Sequence, residues 1–206
     1  MPQLSPVTSW ASTVNTWNLV KETDQAPVYD SAGFNSNPAA VFNGEGPGNY
    51  NYLRFKNGPN YDATVQHTFI FVVSPLATGA TEPYQTLLDC SDSSFGIYMT
   101  GSTTDTLAVK SNRVKKDIGT ASFAPHVEVW TFDGTNVKLF INGTFQGAVE
   151  YTPTVLQYAW VIGREQYSSD CYLWAGIGEI LHYTRVLNAN EIDGITNFIK
   201  SKWGIA

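Results

Sequence analysis

Hydrophobic and polar residues alternate with period two along much of the chain, most clearly between His126 and Glu150. Val127, Val129 and Thr131 alternate with Glu128, Trp130 and Phe132, and Val137, Leu139 and Ile141 alternate with Lys138 and Phe140. That period is what a strand with one face on a core requires. Asn142-Gly143, between Ile141 and Thr144, predicts a type I′ turn, which needs positive φ at both central residues. Asp133-Gly134-Thr135-Asn136 suits a longer hairpin loop. The segment is a three-stranded antiparallel meander, and the rest of the chain is built around it.

Short apolar runs recur on either side of the meander. Strands are predicted at Ala39–Asn43, Asn51–Lys56, Val65–Val73, Gln85–Cys90, Phe95–Met99, Thr106–Lys110, Gln157–Gly163 and Ala175–Tyr183. Leu4–Ser31 is polar with isolated aromatics and reads as one edge strand followed by a meandering loop. Short strands with Gly, Pro, Asn and Asp between them point to a sandwich rather than to βαβ units. The C-terminus departs from this pattern. Asn188 with Glu191 three residues on resembles a capping box, and Ile192, Ile195, Ile199 and Lys202 follow at helical spacing. Lys200 and Lys202 complement the dipole near the end, and Gly204 suits the left-handed position that closes a helix. One helix is expected at about 189–202.

Composition narrows the class. A chain of 206 residues fits one domain. Its 6 Trp, 11 Tyr and 11 Phe favour sheet. Charged residues make up only 15%, against roughly 25% in an average domain. That shortage fits a surface partly covered by a partner, and equally a neutral extracellular-type β domain. Net charge is −6 and the 12 Lys and Arg are scattered, which leaves no footprint for a phosphate backbone. Arg113, Lys115 and Lys116 form the one local basic group and read as a solvated loop. No apolar run approaches the roughly 20 residues that span a bilayer. The N-terminus lacks the basic and apolar regions of a signal peptide. The expectation is either a removed leader or synthesis in a cytoplasm, with use there or after lysis.

Several stretches now resemble a known family. They are Val129 through Gly143, Val161-Ile162-Gly163-Arg164, and Gly176 through Leu187 followed by Glu191-Ile192. Val7 with Trp10, Ala26-Pro27, Pro38 through Gly44 before Tyr52-Leu53, and Phe198-Ile199 with Lys202-Trp203-Gly204-Ile205 match as well. Together they resemble the laminin-G-like domains of the concanavalin A-like lectin/glucanase superfamily, in their bacterial and phage form. The resemblance implies an all-β jelly-roll sandwich of two antiparallel sheets with one C-terminal α-helix. In that family ligands bind at the loop rim or on a concave sheet face. The fold carries lectins, glycosidases, adhesion modules and virion proteins, so function must be argued from the site.

Catalysis finds little to stand on. A glycosidase needs two carboxylates roughly 5–10 Å apart across the sugar bond, which the superfamily's glucanases place on a Glu-x-Asp-x-Glu strand. Here the non-helical acidic pair at that spacing is Glu22/Asp24, in a polar loop. His67, His126 and His182 each fall within predicted strands and read as structural. There is no Gly-x-Ser-x-Gly elbow, and Gly44-x-Gly46-x-Gly48 precedes a strand rather than a helix, so it reads as a turn.

Two constellations remain. Asp89-Cys90 with Asp92, and Asp170-Cys171, would bring three carboxylates to one rim if the cysteines are neighbours, bonded or in contact. Calcium takes six to eight oxygens, and many relatives bind it at such a rim. The alternative is solvated acids beside small buried thiols. Arg164, Tyr167, Tyr172 and Trp174 form an aromatic loop suited to stacking on a sugar or anchoring a protein, or to closing the sandwich end. The expected function is therefore non-catalytic recognition or assembly. A virion surface protein, capsid-decorating or tail-associated, is the first setting: made in the host cytoplasm and held by other structural subunits or copies of itself. A soluble or secreted carbohydrate-binding module, calcium-dependent or not, binding cell-surface glycans, is the second.

Overall fold

Alternating runs separated by Gly-, Asn- and Asp-rich turns pair edge to edge until two layers face each other across one apolar interior. The structure, a computed structural model, describes residues 5–11, 18–21, 26–43, 51–56, 66–76, 84–90, 95–100, 106–111, 114–120, 123–151, 160–165 and 172–206. Its strands are β1 (Ser5–Pro6), β2 (Ser9–Ala11), β3 (Asn18–Lys21), β4 (Val28–Phe34), β5 (Asn37–Asn43), β6 (Leu53–Lys56), β7 (His67–Pro75) and β8 (Tyr84–Cys90). They continue as β9 (Phe95–Thr100), β10 (Thr106–Ser111), β11 (Val114–Thr120), β12 (His126–Phe132), β13 (Asn136–Ile141), β14 (Thr144–Glu150), β15 (Trp160–Ile162) and β16 (Trp174–Tyr183). One helix, α1 (Ala189–Trp203), closes the chain.

The first sheet runs β1-β4-β5-β16-β7-β12-β13-β14 and the second β11-β10-β9-β8-β15-β6-β3-β2. Every pairing between these strands is antiparallel. This is the expected jelly-roll sandwich. Phe69, Phe71, Trp130, Phe132 and Leu139 of the first sheet meet Leu53, Leu88, Ile97, Val109 and Ile162 of the second in the main core. The predicted meander is present, with φ of 51° at Asn142 and 85° at Gly143, as a type I′ turn demands.

The helix lies on the outer side of the first sheet. Ile192, Ile199 and Trp203 pack on Ile70, Val72, Val127 and Val129, so β12 is buried on both faces. The alternation therefore separates two interiors rather than a core from solvent. Val127 and Val129 face the helix, while Glu128 faces the main core beside Trp130. Both expected caps are in place. Asn188 and Glu191 exchange their bonds as a capping box, and Gly204 is left-handed at φ 63°. Asn35, in the β4–β5 turn, donates to the carbonyls of Trp203 and Gly204.

Two parts of the expected layout are corrected. The N-terminal stretch carries β1, β2, β3 and part of β4, not a single edge strand. The chain steps from the edge of one sheet to the edge of the other, held by Val7 N–H on the Pro27 carbonyl at 2.7 Å. Lys115 and Lys116 are not in a loop but in β11. Among the polar residues of β11, Ile118 turns into the core. A Cβ on Gly147 would run into the Ile118 carbonyl oxygen, so this glycine lets β14 approach β11 and close the sandwich at that side.

Candidate recognition site

The site grows from the end of β15. Trp160 and Ile162 point into the core, and the chain then turns at Gly163, whose φ is 94°. A side chain there would strike the Phe42 ring at 2.5 Å, so glycine is required by both space and dihedral. Leu173 N–H donates to the Gly163 carbonyl at 3.0 Å, and Arg164 pairs with Tyr172 as an isolated bridge. Arg164 holds its guanidinium 4.7 Å above the ring of Tyr52, a cation–π contact. Two residues past Tyr172, Trp174 N–H donates to the Gln85 side-chain oxygen at 2.8 Å, and its carbonyl accepts from Leu76 N–H at 3.0 Å. Asn51 donates to Asn43 beside them. Tyr52, Arg164, Gln85 and Trp174 thus share one rim of the sandwich.

Glu165 leads from that rim onto the outer side of the second sheet. Its carboxylate lies 3.8 Å from Lys115 Nζ, and the same ammonium sits 4.3 Å from the centre of the Tyr98 ring. Tyr98 in turn donates its hydroxyl to Asp89 at 3.3 Å. A Cβ on Gly96 would meet the Tyr98 ring at 2.6 Å, so Gly96 is the bed on which the ring lies. Asp89 pairs in register with Gly96 and Val161. Both Asp89 and Tyr98 are fully buried.

The structure places the expected residues unequally. Arg164 and Trp174 are half-buried at the rim, whereas Tyr172 is 2% exposed. It brings Arg164, Tyr172 and Trp174 together. Asp89 sits within β8, buried, with one carboxylate oxygen accepting from the Tyr98 hydroxyl. Tyr167, Asp92, Asp170 and Cys171, and the side chain of Cys90, lie outside the described residues. Among the described residues no three His, Cys, Asp or Glu side chains gather to hold a metal ion. Tyr52, Gln85, Tyr98, Lys115 and Glu165 escaped the sequence reading. They come from five separate segments, and only the cross-strand register joins them. The Gly96-x-Tyr98 spacing is the one local hint.

A second acid lies deep in the core. Glu128 is fully buried; it accepts from Trp130 Nε1 at 2.8 Å and faces His126 Nε2 at 3.0 Å. His126 Nδ1 is 2.8 Å from the Ala124 carbonyl, so it carries the hydrogen and donates. One proton must then lie between His126 Nε2 and Glu128.

This fold and these positions define a lectin-type sandwich, and the chain belongs to the Concanavalin A-like lectin/glucanases superfamily, whose laminin-G-like profile matches residues 47–193. No curated protein matches the chain in sequence. Among solved structures it is similar to a native heptameric SAP-like pentraxin from Limulus polyphemus, at TM-score 0.64 and 16% identity, covering 76% of this chain and 80% of that one. It is also similar to the binding domain of botulinum neurotoxin serotype G, at TM-score 0.66 and 14% identity, covering 97% of this chain. The chain spans 54% of that toxin domain. A third is domain 4 of AbnA, a GH43 extracellular arabinanase from Geobacillus stearothermophilus, in complex with arabinotriose. There TM-score is 0.61 and identity 15%, covering 94% of this chain and 99% of that domain. Identities this low establish the shared fold.

Proposed function

We propose that the chain is a non-catalytic carbohydrate-recognition module that binds saccharide at the rim formed by Arg164, Trp174, Gln85 and Tyr52. The observation that carries this reading is that the Arg164 guanidinium over the Tyr52 ring, the Gln85 side-chain oxygen on the Trp174 N–H and the Asn51–Asn43 amide contact meet at one end of the sandwich, beside a half-buried Trp174. Sugars stack an apolar face on an aromatic ring while their hydroxyls take up directed hydrogen bonds. Among the described residues, the acids near the site are committed elsewhere: Asp89 under Tyr98, Glu165 to Lys115. A general acid facing a second carboxylate across a groove is the arrangement glycoside hydrolysis needs, and these two do not offer it. Support of a coarser kind comes from relatives of the same fold, one of them bound to arabinotriose and another, a botulinum neurotoxin DC binding domain, in complex with SialylT.

Assembly is a second proposal, favoured by the heptameric state of the pentraxin relative. In that reading several copies present the rim together, which multiplies weak single-site binding. The virion setting expected from the sequence has no counterpart among the relatives described above. Glycan-array binding by the purified chain, with and without chelator, tests the recognition reading. Saturable binding to a restricted set of saccharides is the expected result, and binding to none contradicts it.

A further inference from the structure

We propose that His67 and His182 form a one-proton latch that holds the end of β7 against β16 near neutral pH and releases it in acid, loosening the connection to α1. His67 opens β7, and His182 is the penultimate residue of β16. Their side chains alternate with those of the helix-facing residues and so lie on the core-facing side, at the mouth of the sandwich opposite the rim described above. Nδ1 of His67 is 3.0 Å from Nε2 of His182. The ring centres are only 5.1 Å apart, so the two nitrogens lie between the rings, near the line joining the centres. Room exists for one hydrogen: one ring donates and the other accepts.

The setting resists a charge. His67 is 7% exposed, and His182 stacks on Phe69 with centres 4.4 Å apart. Phe69 is backed edge-on by Trp160 of the second sheet and by Phe132. Burial, followed by the nearness of His67, pulls His182 down to about 4. Among the described residues, the titratable groups of the neighbouring elements have the following partners. On β12, Phe132 pairs with His67 in register, and the acid of that face, Glu128, is taken by His126 and Trp130. Asp133, just beyond Phe132, is bound by Thr135 and Asn136 N–H groups. Tyr151 lays its ring against Phe132. Tyr183 packs on the helix side, where Arg185, Glu179 and Glu191 act on it.

Doubly protonated, the pair presents N–H to N–H across 3.0 Å and must part. The residue after His67 carries the consequence outward. Thr68 Oγ1 donates to the Arg185 carbonyl at 2.8 Å and accepts from Leu187 N–H at 3.1 Å, pinning the segment that leads from β16 to α1. Parting the ends of β7 and β16 pulls on that pin.

The test compares the protein with the double variant His67→Phe/His182→Phe by urea unfolding at pH 7 and pH 4, together with ring nitrogen shifts and amide exchange of the unaltered protein. A depressed folded value means stability is complete above the unfolded value of 6.5 and is lost as pH falls towards 4. The folding equilibrium of the unaltered protein is expected to fall by up to roughly 300-fold over that interval from this pair. The double variant is expected to lack that share of the fall. If the variant does not fold, the ring nitrogens decide: the His182 ring stays neutral at pH 5.5, with amides of 183–203 exchanging first as the pH drops further. A His182 ring that titrates near 6.5, an equal loss in the variant, or exchange that rises uniformly would each overturn the latch.

Discussion

Trp203 lies flat against the backbone of Gly178, so that a Cβ at residue 178 would fall 2.6 Å from its ring. The same indole donates its N–H to Glu179 at 2.9 Å and meets Phe34 edge-on at 5.3 Å. Lys202 adds a second bond to Glu179 at 2.8 Å. Gly178 also falls where the β16–β7 register shifts, between Ile177 and Glu179. The last turn of the helix is therefore fastened to an irregularity in the strand, and the sheet's outer face is covered as a result.

Trp203→Ala is expected to cost about 3–5 kcal/mol, as for other buried aromatic truncations. Gly178→Ala is expected to cost about 1–3 kcal/mol because the ring must move. Urea unfolding measures both. A loss under about 0.5 kcal/mol for either would mean that the helix is not held this way.

Glu128 makes a different prediction. Removing it by Glu128→Ala takes away the partner of the buried His126 Nε2 and the acceptor of the buried Trp130 Nε1–H, and is expected to cost about 3–5 kcal/mol. Replacing the pair together, as His126→Leu/Glu128→Leu, is expected to cost less, since the His126 ring is then gone and the Trp130 Nε1–H alone of the two still loses its acceptor. A double-mutant cycle in urea measures the difference; equal costs would contradict a coupled pair.

The helix start answers to pH. The Arg185 guanidinium, bidentate at 2.8 and 2.7 Å, and then the Asn188 N–H hold Glu191 down to about 2. Its contribution is complete above the ordinary value of 4.5 and fades as pH falls towards 2. Arg185→Ala is expected to raise the Glu191 titration towards its ordinary range, read by carboxylate carbon shifts. An unmoved titration would show that Arg185 does not govern it. Asn188→Ala should cost about 1 kcal/mol as a lost cap.

Much of this framework was legible in the residues. Asn142-Gly143 and the Asn188, Glu191 and Gly204 caps were readable because turn and cap chemistry is local, set by which side chains tolerate positive φ or reach an N–H three residues on. The polar strands were not. β11 shows no apolar alternation because only Ile118 turns inward, and its neighbours answer to solvent and to β14. The alternation around Glu128 promised a strand with one face on a core; the helix over Val127 and Val129 gives that strand an interior on both faces. Of the site, Arg164 and Trp174 were picked out by their aromatic loop. Tyr52, Gln85, Tyr98 and Lys115 were not, because register between strands distant in sequence brings them there. The same holds for His67 and His182, whose 115-residue separation hides a direct contact.

The outer face of the second sheet carries its own prediction. Gly96→Ala is expected to displace the Tyr98 ring, expose Asp89 and lower the melting temperature, because the added methyl occupies the ring's place. Near-ultraviolet circular dichroism reads the tyrosine directly. An unchanged spectrum with unchanged stability would contradict the packing of Tyr98 on Gly96.

The central claim, recognition without bond cleavage at the Trp174 and Arg164 rim, is tested most directly by incubating the protein with its best-bound oligosaccharide and following retention and reducing ends together. The predicted result is saturable retention with no new reducing ends, reduced at least tenfold in Trp174→Ala at unchanged melting temperature. Release of reducing ends, or equal retention by Trp174→Ala, would contradict it.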